Sequence, residues 1–237
     1  MANPYFKFKQ FTVYHDRSSL KVGTDAVLLG AWAETSGAKK ILDIGTGSGV
    51  IALMLAQKSP AIIDAIDIDD ASCRQAEENF NTSPWVERLN IHHISLNEFT
   101  AASKEKYDLV VSNPPYFTDS YKPTDLQRIS ARHNDQLPIC ELAENVVKLL
   151  NEHGKFCVIL PVKEAAVLVS ETHKNDLFPQ KELSVYSFCG KEVFRKMLLF
   201  GREESPCFHE ELTIETAPGK GYSQEYIELT KEYYLNF

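Results

Sequence analysis

The sequence has few of the features that staple, anchor or flex a chain. Its five cysteines, Cys73, Cys140, Cys157, Cys189 and Cys207, are scattered, and no two form a C-x-x-C pair. An odd, dispersed set argues against a disulfide framework or a zinc site and suits a reducing compartment. No apolar run approaches the roughly 20 residues that cross a bilayer. The start, MANPYFKFKQF, lacks the apolar core of a signal peptide. Internal repeats, low-complexity tracts and linkers rich in Gly, Ser or Pro are missing too. The expectation is a cytoplasmic globular protein with no membrane association, no metal site and no obligatory protein partner.

Excess positive charge is also lacking. The formal net charge is −8, which taken alone speaks against a nucleic-acid partner. The distribution is uneven. Lys7, Lys9, Arg17 and Lys21 face only Asp16 within residues 1–22. Lys191, Arg195, Lys196 and Arg202 face only Glu192 within residues 191–202, whereas residues 203–217 hold Glu203, Glu204, Glu210, Glu211 and Glu215 with no base. A local basic face on an acidic molecule is one reading, and ordinary charge mixing on a solvated surface is the other.

What is present is an alternation of strand-like and helix-like stretches. Thr24 or Asp25 caps a helix through Trp32. Strands are expected at Ile41–Ile44, up to Asp67 in AIIDAIDIDD, in LNIHHIS, in YDLVVSN and in KFCVILP. Helices are expected at 51–57, in ASCRQAEENF, between Ile139 and Asn151, and from Val162 to Asn175. LSVYSF and RKMLLFG have no helix-length connection and read as an antiparallel closing pair, and a terminal helix follows from Ser223 to Leu235. Such alternation builds an α/β fold with a doubly wound sheet covered on both faces. The 237 residues read as one domain over 1–237, with residues 1–22 as an extension, a flap or an edge strand.

Two motifs sit where an open α/β sheet binds ligands, just past its strand ends. The first is DIGTGSGV, with Asp43, Gly45, Gly47 and Gly49. A dinucleotide fingerprint would need glycine or alanine where Val50 stands, and a P-loop would need a lysine after its last glycine. Neither is there. The second motif ends the apolar run DLVVS: Asn113-Pro114-Pro115-Tyr116. One proline suffices to stop a strand, so two prolines flanked by an amide and a ring ask for chemistry.

D-x-G-x-G-x-G resembles motif I of the class I S-adenosylmethionine-dependent methyltransferases, and N-P-P-Y resembles motif IV of those that methylate planar nitrogens. The resemblance implies a seven-stranded Rossmann-like sheet, mostly parallel with an antiparallel final strand. It implies S-adenosylmethionine as cofactor, with the turn at Gly45 and Gly47 cradling its methionine part and Asp43 orienting its ammonium. Asp67 would take the ribose hydroxyls, since a carboxylate accepts from two adjacent hydroxyls; Asp69 is rather a helix-start residue. The side-chain oxygen of Asn113 and the carbonyl of Pro114, fixed in direction by Pro115, would hold both hydrogens of an amino group, while Tyr116 offers a stacking face. Holding both hydrogens frees the nitrogen lone pair and stabilises the charge that grows on it.

FKFKQFTVYHD, LKVGTDAVLLGAWA and the terminal YSQEYIELTKEYYLNF further resemble the bacterial tRNA (adenine-N6)-methyltransferases of valine tRNA, over essentially the whole chain. That implies N6-methylation of the adenine at position 37, beside the anticodon, with the tRNA anticodon arm as partner. Lys21 to Asp25, including Thr24, would close over the cofactor. One departure stands out: Ser95 or Asn97 occupies the place where an acid commonly reads the cofactor's adenine, leaving Leu96 to pack there and give its backbone N–H. Arg128, Arg132 and His133, after N-P-P-Y, and Lys191, Arg195 and Lys196 are candidates for phosphate contact. The alternatives are a guanine-N2 methyltransferase of ribosomal RNA, a glutamine methyltransferase of a release factor, and a non-catalytic module binding cofactor or RNA.

Overall fold

The computed structural model describes residues 3–18, 21–115 and 137–237. Strands β1 (Tyr5–Lys7) and β2 (Thr12–Tyr14) form a hairpin of their own. Then come α1 (Thr24–Trp32), β3 (Lys40–Ile44), α2 (Val50–Lys58), β4 (Ile62–Asp67), α3 (Asp70–Asn81), β5 (Leu89–His93), α4 (Leu96–Ala102) and β6 (Tyr107–Ser112). After the break follow α5 (Ile139–Leu149), β7 (Leu150–Leu160), α6 (Val162–His173), β8 (Phe178–Phe188), β9 (Val193–Gly201), β10 (Phe208–Glu215) and α7 (Gln224–Thr230).

The main sheet runs β10-β8-β9-β7-β6-β3-β4-β5. Only β9 opposes its neighbours, pairing antiparallel with both β7 and β8. The expected closing pair is therefore β8 and β9. The sheet has eight strands rather than seven because FHEELTIE adds β10 in parallel beside β8. Its buried positions alternate, with Leu212 and Ile214 inward among polar neighbours. An edge strand covered on one face needs no more apolar character than that.

Alternation also splits the core in two. Ile41 of β3 packs on one side with α1 and α2 residues such as Leu28 and Leu53; Leu42 and Ile44 pack on the other with Val146 of α5 and Leu168 of α6. Period-2 side chains on a sheet between two helix layers produce this division.

Two local expectations shift. The α1 N-cap is Gly23, with no side-chain cap, so neither Thr24 nor Asp25 plays that role. Helix α4, unexpected from periodicity, is opened by a capping box in which Ser95 and Glu98 satisfy each other's backbone N–H. Residues 3–18 do not lie along the main sheet. The Tyr14 N–H donates to Asn79 Oδ1 at 2.9 Å, and Asn79 Nδ2 donates back to the Tyr14 carbonyl at 2.8 Å. Lys9 Nζ donates to the carbonyls of Lys231 and Phe237. These bonds pin the hairpin between α3 and the C-terminal segment.

Candidate functional site

The strand order reverses between β3 and β6, and register decides what meets there. Ile44 pairs with Ser112, and the Ser112 hydroxyl donates to the Ile44 carbonyl at 3.0 Å. The glycine turn after β3 and Asn113 after β6 are thus neighbours. The turn is tied to β4 as well: the Gly45 and Thr46 N–H groups donate to the Ile66 carbonyl at 2.9 and 3.1 Å. Gly45, Gly47 and Gly49 have φ of +72°, +56° and +81°, where side chains are strained. At Gly45 a Cβ would point into open space, so its backbone is free for close approach; at Gly49 it would lie 2.5 Å from the Phe80 ring.

Asp43 lies beneath the turn with 0% exposure. Its Oδ2 accepts from the Thr46 hydroxyl at 2.6 Å, while Oδ1 makes no close hydrogen bond among the described residues, the Ala52 N–H being the backbone donor that faces this carboxyl. Burial, above all, pushes its carboxyl up to about 7, with the Thr46 hydroxyl pulling the other way. Asp67 ends β4. One of its oxygens accepts from the Gly47 N–H at 2.8 Å and the other from the Asp69 N–H at 2.9 Å; burial raises its carboxyl too. Asp69 is the N-cap of α3, accepting from the Ser72 N–H at 2.9 Å.

A cleft of about 1230 Å³ opens at this point. Lys21, Thr24, Gly45, Gly47 and Asn113 line it together, which brings five of the sequence candidates to one place. Asp43 sits below it, and neither Asp67 nor Leu96 is part of its lining. Leu96, 5% exposed, is the first residue of α4 and packs in the second core with Ile66. Pro114 is buried and Pro115 exposed. Tyr116, Arg128, Arg132 and His133 lie outside the described residues.

The other basic candidates have partners within the chain. Arg195 Nε meets Asp25 Oδ2 at 2.7 Å, joining β9 to the start of α1, and Lys196 Nζ meets Glu182 Oε1 at 2.6 Å. Lys191 Nζ lies 5.3 Å from the centroid of the Phe188 ring. Two cations of the basic run, Arg195 and Lys196, are therefore taken up in internal ion pairs. Sequence reasoning missed Ser18, whose buried hydroxyl has no partner among the described residues and lies 3.7 Å from where a Gly47 Cβ would be. It also missed the cleft's aromatic walls, Tyr5, Phe6, Phe188, Phe194, Tyr222 and Phe237. No sequence pattern marks either, because separate chain segments meet to form them.

The open backbone at Gly45 and Gly47, on the floor of the cleft, leaves room for a ligand to approach the turn closely. Residues 13–138 match the methyltransferase small domain family. A predicted O-methyltransferase from Agrobacterium tumefaciens has the same fold, with a TM-score of 0.65 at 14% identity over 88% of this chain and 96% of that one. The molecule is a class I methyltransferase, and its methyl donor is S-adenosylmethionine.

Several relatives match end to end. The tRNA1(Val) (adenine(37)-N6)-methyltransferase of Bacteroides thetaiotaomicron is 45% identical over 100% of this chain and 99% of its own. The protein of that name from Phocaeicola vulgatus is 46% identical over the whole of both chains. The chain belongs to the family of these methyltransferases.

Proposed function

We propose that this protein transfers a methyl group from S-adenosylmethionine to N6 of the adenine at position 37 of tRNA1(Val), beside the anticodon. The observation that carries the reading is identity of about 45% across the full length to relatives of that name. The placement of Asn113 beside the glycine turn supports it chemically.

When bound, S-adenosylmethionine supplies an electrophilic methyl on a sulfonium. The chain's own residues do the rest. The Asp43 carboxylate holds the ammonium from below the turn. Asp67 accepts from the ribose hydroxyls with the lone pairs its two backbone N–H partners leave free. Lys21 and Thr24 close the cleft from the start of α1. The Asn113 side-chain oxygen and the Pro114 carbonyl accept the two N6 hydrogens of the target adenine. That would aim the nitrogen lone pair and stabilise the positive charge it acquires as the N–CH3 bond forms and the S–CH3 bond breaks, with S-adenosylhomocysteine as the leaving group and the surplus N6 proton passing to water. The surplus proton becomes acidic only as the methyl arrives, so no strong base is needed beforehand. Tyr116 offers a stacking face for the base, and Arg128, Arg132 and Lys191 are candidate phosphate contacts. A loop base is unstacked at little cost, which favours an anticodon arm over a duplex.

The test is direct. The purified protein, S-adenosylmethionine and a tRNA1(Val) transcript should yield one N6-methyladenosine per tRNA by nucleoside mass spectrometry. A transcript with guanine at that position should stay unmodified. Methyl incorporation elsewhere, or into ribosomal RNA or a release factor instead, would overturn the assignment.

A further inference from the structure

The stretch YSQEYIELTKEYYLNF contributes no strand to the sheet and no residue to the glycine turn. It folds back along the cleft, where Tyr222, Tyr226, Tyr234 and Phe237 form one wall. Phe188 and Phe194 enter from β8 and β9, and Tyr5 and Phe6 from the β1–β2 hairpin. At about 1230 Å³ the cleft exceeds the several hundred to ~1000 Å³ of an ordinary small-molecule site.

The cleft holds few charged side chains. The cleft has two acidic side chains, Asp25 and Glu215. Asp25 is held by Arg195, and Glu215 Oε2 accepts from the Gly219 N–H at 2.9 Å. Its two lysines, Lys7 and Lys21, are exposed and make no ion pair among the described residues. Aromatic faces interleaved with free cations are what single-stranded nucleic acid uses, bases on rings and phosphates on ammonium groups.

Tyr222 has the clearest geometry. It is 47% exposed, yet its ring is fixed. It stacks on Tyr226 with centroids 5.0 Å apart and 27° between planes, and Phe237 meets it edge-on at 5.2 Å. Its backbone is fixed as well. Tyr222 bridges to Glu215, the Ser223 N–H donates to the Ile214 carbonyl at 2.8 Å, and the Thr216 N–H donates to the Gly221 carbonyl at 2.9 Å. Gly219 and Gly221, with φ of +66° and +102°, supply the turn this requires. A ring already ordered loses little entropy when a base lands on it.

We propose that Tyr222 is a nucleobase platform: held by Tyr226 and Phe237, it stacks on an anticodon-loop base beside the target adenine. The inference rests on the tRNA reading above and deepens it. The C-terminal segment reads the neighbourhood of the target, while Asn113 and Pro114 hold the target itself.

Tyr222→Ala, Tyr222→Phe and Tyr222→Leu separate the possibilities, with tRNA1(Val) affinity measured by fluorescence anisotropy at fixed salt and cofactor affinity by calorimetry. Loss of one stacking contact should weaken tRNA binding about tenfold in the Ala variant. The Leu variant, which restores apolar bulk without a π-face, should show a similar loss if the Ala variant folds poorly. The Phe variant should stay within about twofold of wild type, and cofactor affinity should hold in all three. Wild-type tRNA affinity in the Ala or Leu variant would overturn the proposal. So would parallel losses of melting temperature and cofactor affinity, which would make Tyr222 structural. So too would conversion of an oligomer to a monomer, seen by sedimentation, which would make the wall a self-association surface. A wild-type protein that neither binds nor methylates tRNA would sink the tRNA reading itself; a methylating wild type with an unimpaired Ala variant would sink only the platform.

Discussion

Asp43 has a carboxyl that burial holds near neutrality, and Asp43→Asn separates the two consequences of that fact. Moving the group from its ordinary value near 3.8 to about 7 means that ionising it inside the fold costs on the order of 4 kcal/mol. The folded state keeps the proton between roughly pH 4 and 7, whereas the unfolded chain has lost it. This group therefore makes the free protein less stable as pH rises through that window, with no further change above about 7. On the proposed role of Asp43, a bound ammonium would reverse the preference by pairing with its carboxylate. Affinity for S-adenosylhomocysteine, which keeps the same ammonium group, should therefore weaken about tenfold per pH unit below 7. It should weaken again above about pH 8, where a free α-amino group deprotonates. The amide introduced by Asp43→Asn would keep the volume and an acceptor for the Thr46 hydroxyl. The substitution should flatten the acid limb, weaken binding at pH 7.5 by ~10–100-fold through loss of a charged hydrogen bond, and raise the melting temperature of the free protein at pH 8. Calorimetry between pH 5.5 and 8.5, paired with thermal melts, measures all three. Wild-type affinity that is flat from pH 5.5 to 7.5, or an Asn variant that binds as wild type does, would refute the reasoning.

Two further changes probe separate links. Asn113→Ala should leave cofactor affinity within about twofold but lower kcat by ~10²–10³, the usual cost of one hydrogen-bonding group aimed at developing charge; equal losses in single-turnover rate and in calorimetric affinity would make Asn113 a structural residue. Gly49→Ala should cost on the order of 3 kcal/mol, from the left-handed backbone and the contact with Phe80. At this chain length that is a fall of about 6–12 °C in melting temperature. Adding Phe80→Leu should recover part of the loss in a double-mutant cycle, and purely additive effects would show that the ring is not the obstacle.

The glycine turn and the end of β6 were legible because their rules are local. Three glycines in positive φ need glycine wherever they fall, and two prolines end a strand in any fold. The capping box at Ser95 and Glu98 was equally local, and S-L-N-E could have announced α4. By contrast, β10 offers Glu210, Glu211, Glu215, a histidine and few apolar side chains, and becomes a strand only because β8 presents a free edge. The charge run at 191–202 shows the same limit from the other side. Its composition suggested a basic face, but Asp25, 170 positions away from Arg195, and Glu182 on the neighbouring strand take up two of its cations.

By itself the sequence determined the parts that depend on short spacing: which strands end in glycine or proline, which acid lies beneath the turn, and which amide follows β6. Tertiary structure alone decided what those parts face. Pairing of Ile44 with Ser112 sets the turn beside Asn113, and both chain ends wrap the cleft with tyrosines, phenylalanines and lysines. The reason is physical. Backbone conformation at a turn is fixed by sterics within a few residues, whereas a cleft wall is fixed by contacts between segments that the chain separates by a hundred residues or more, and no local pattern records which of them will meet.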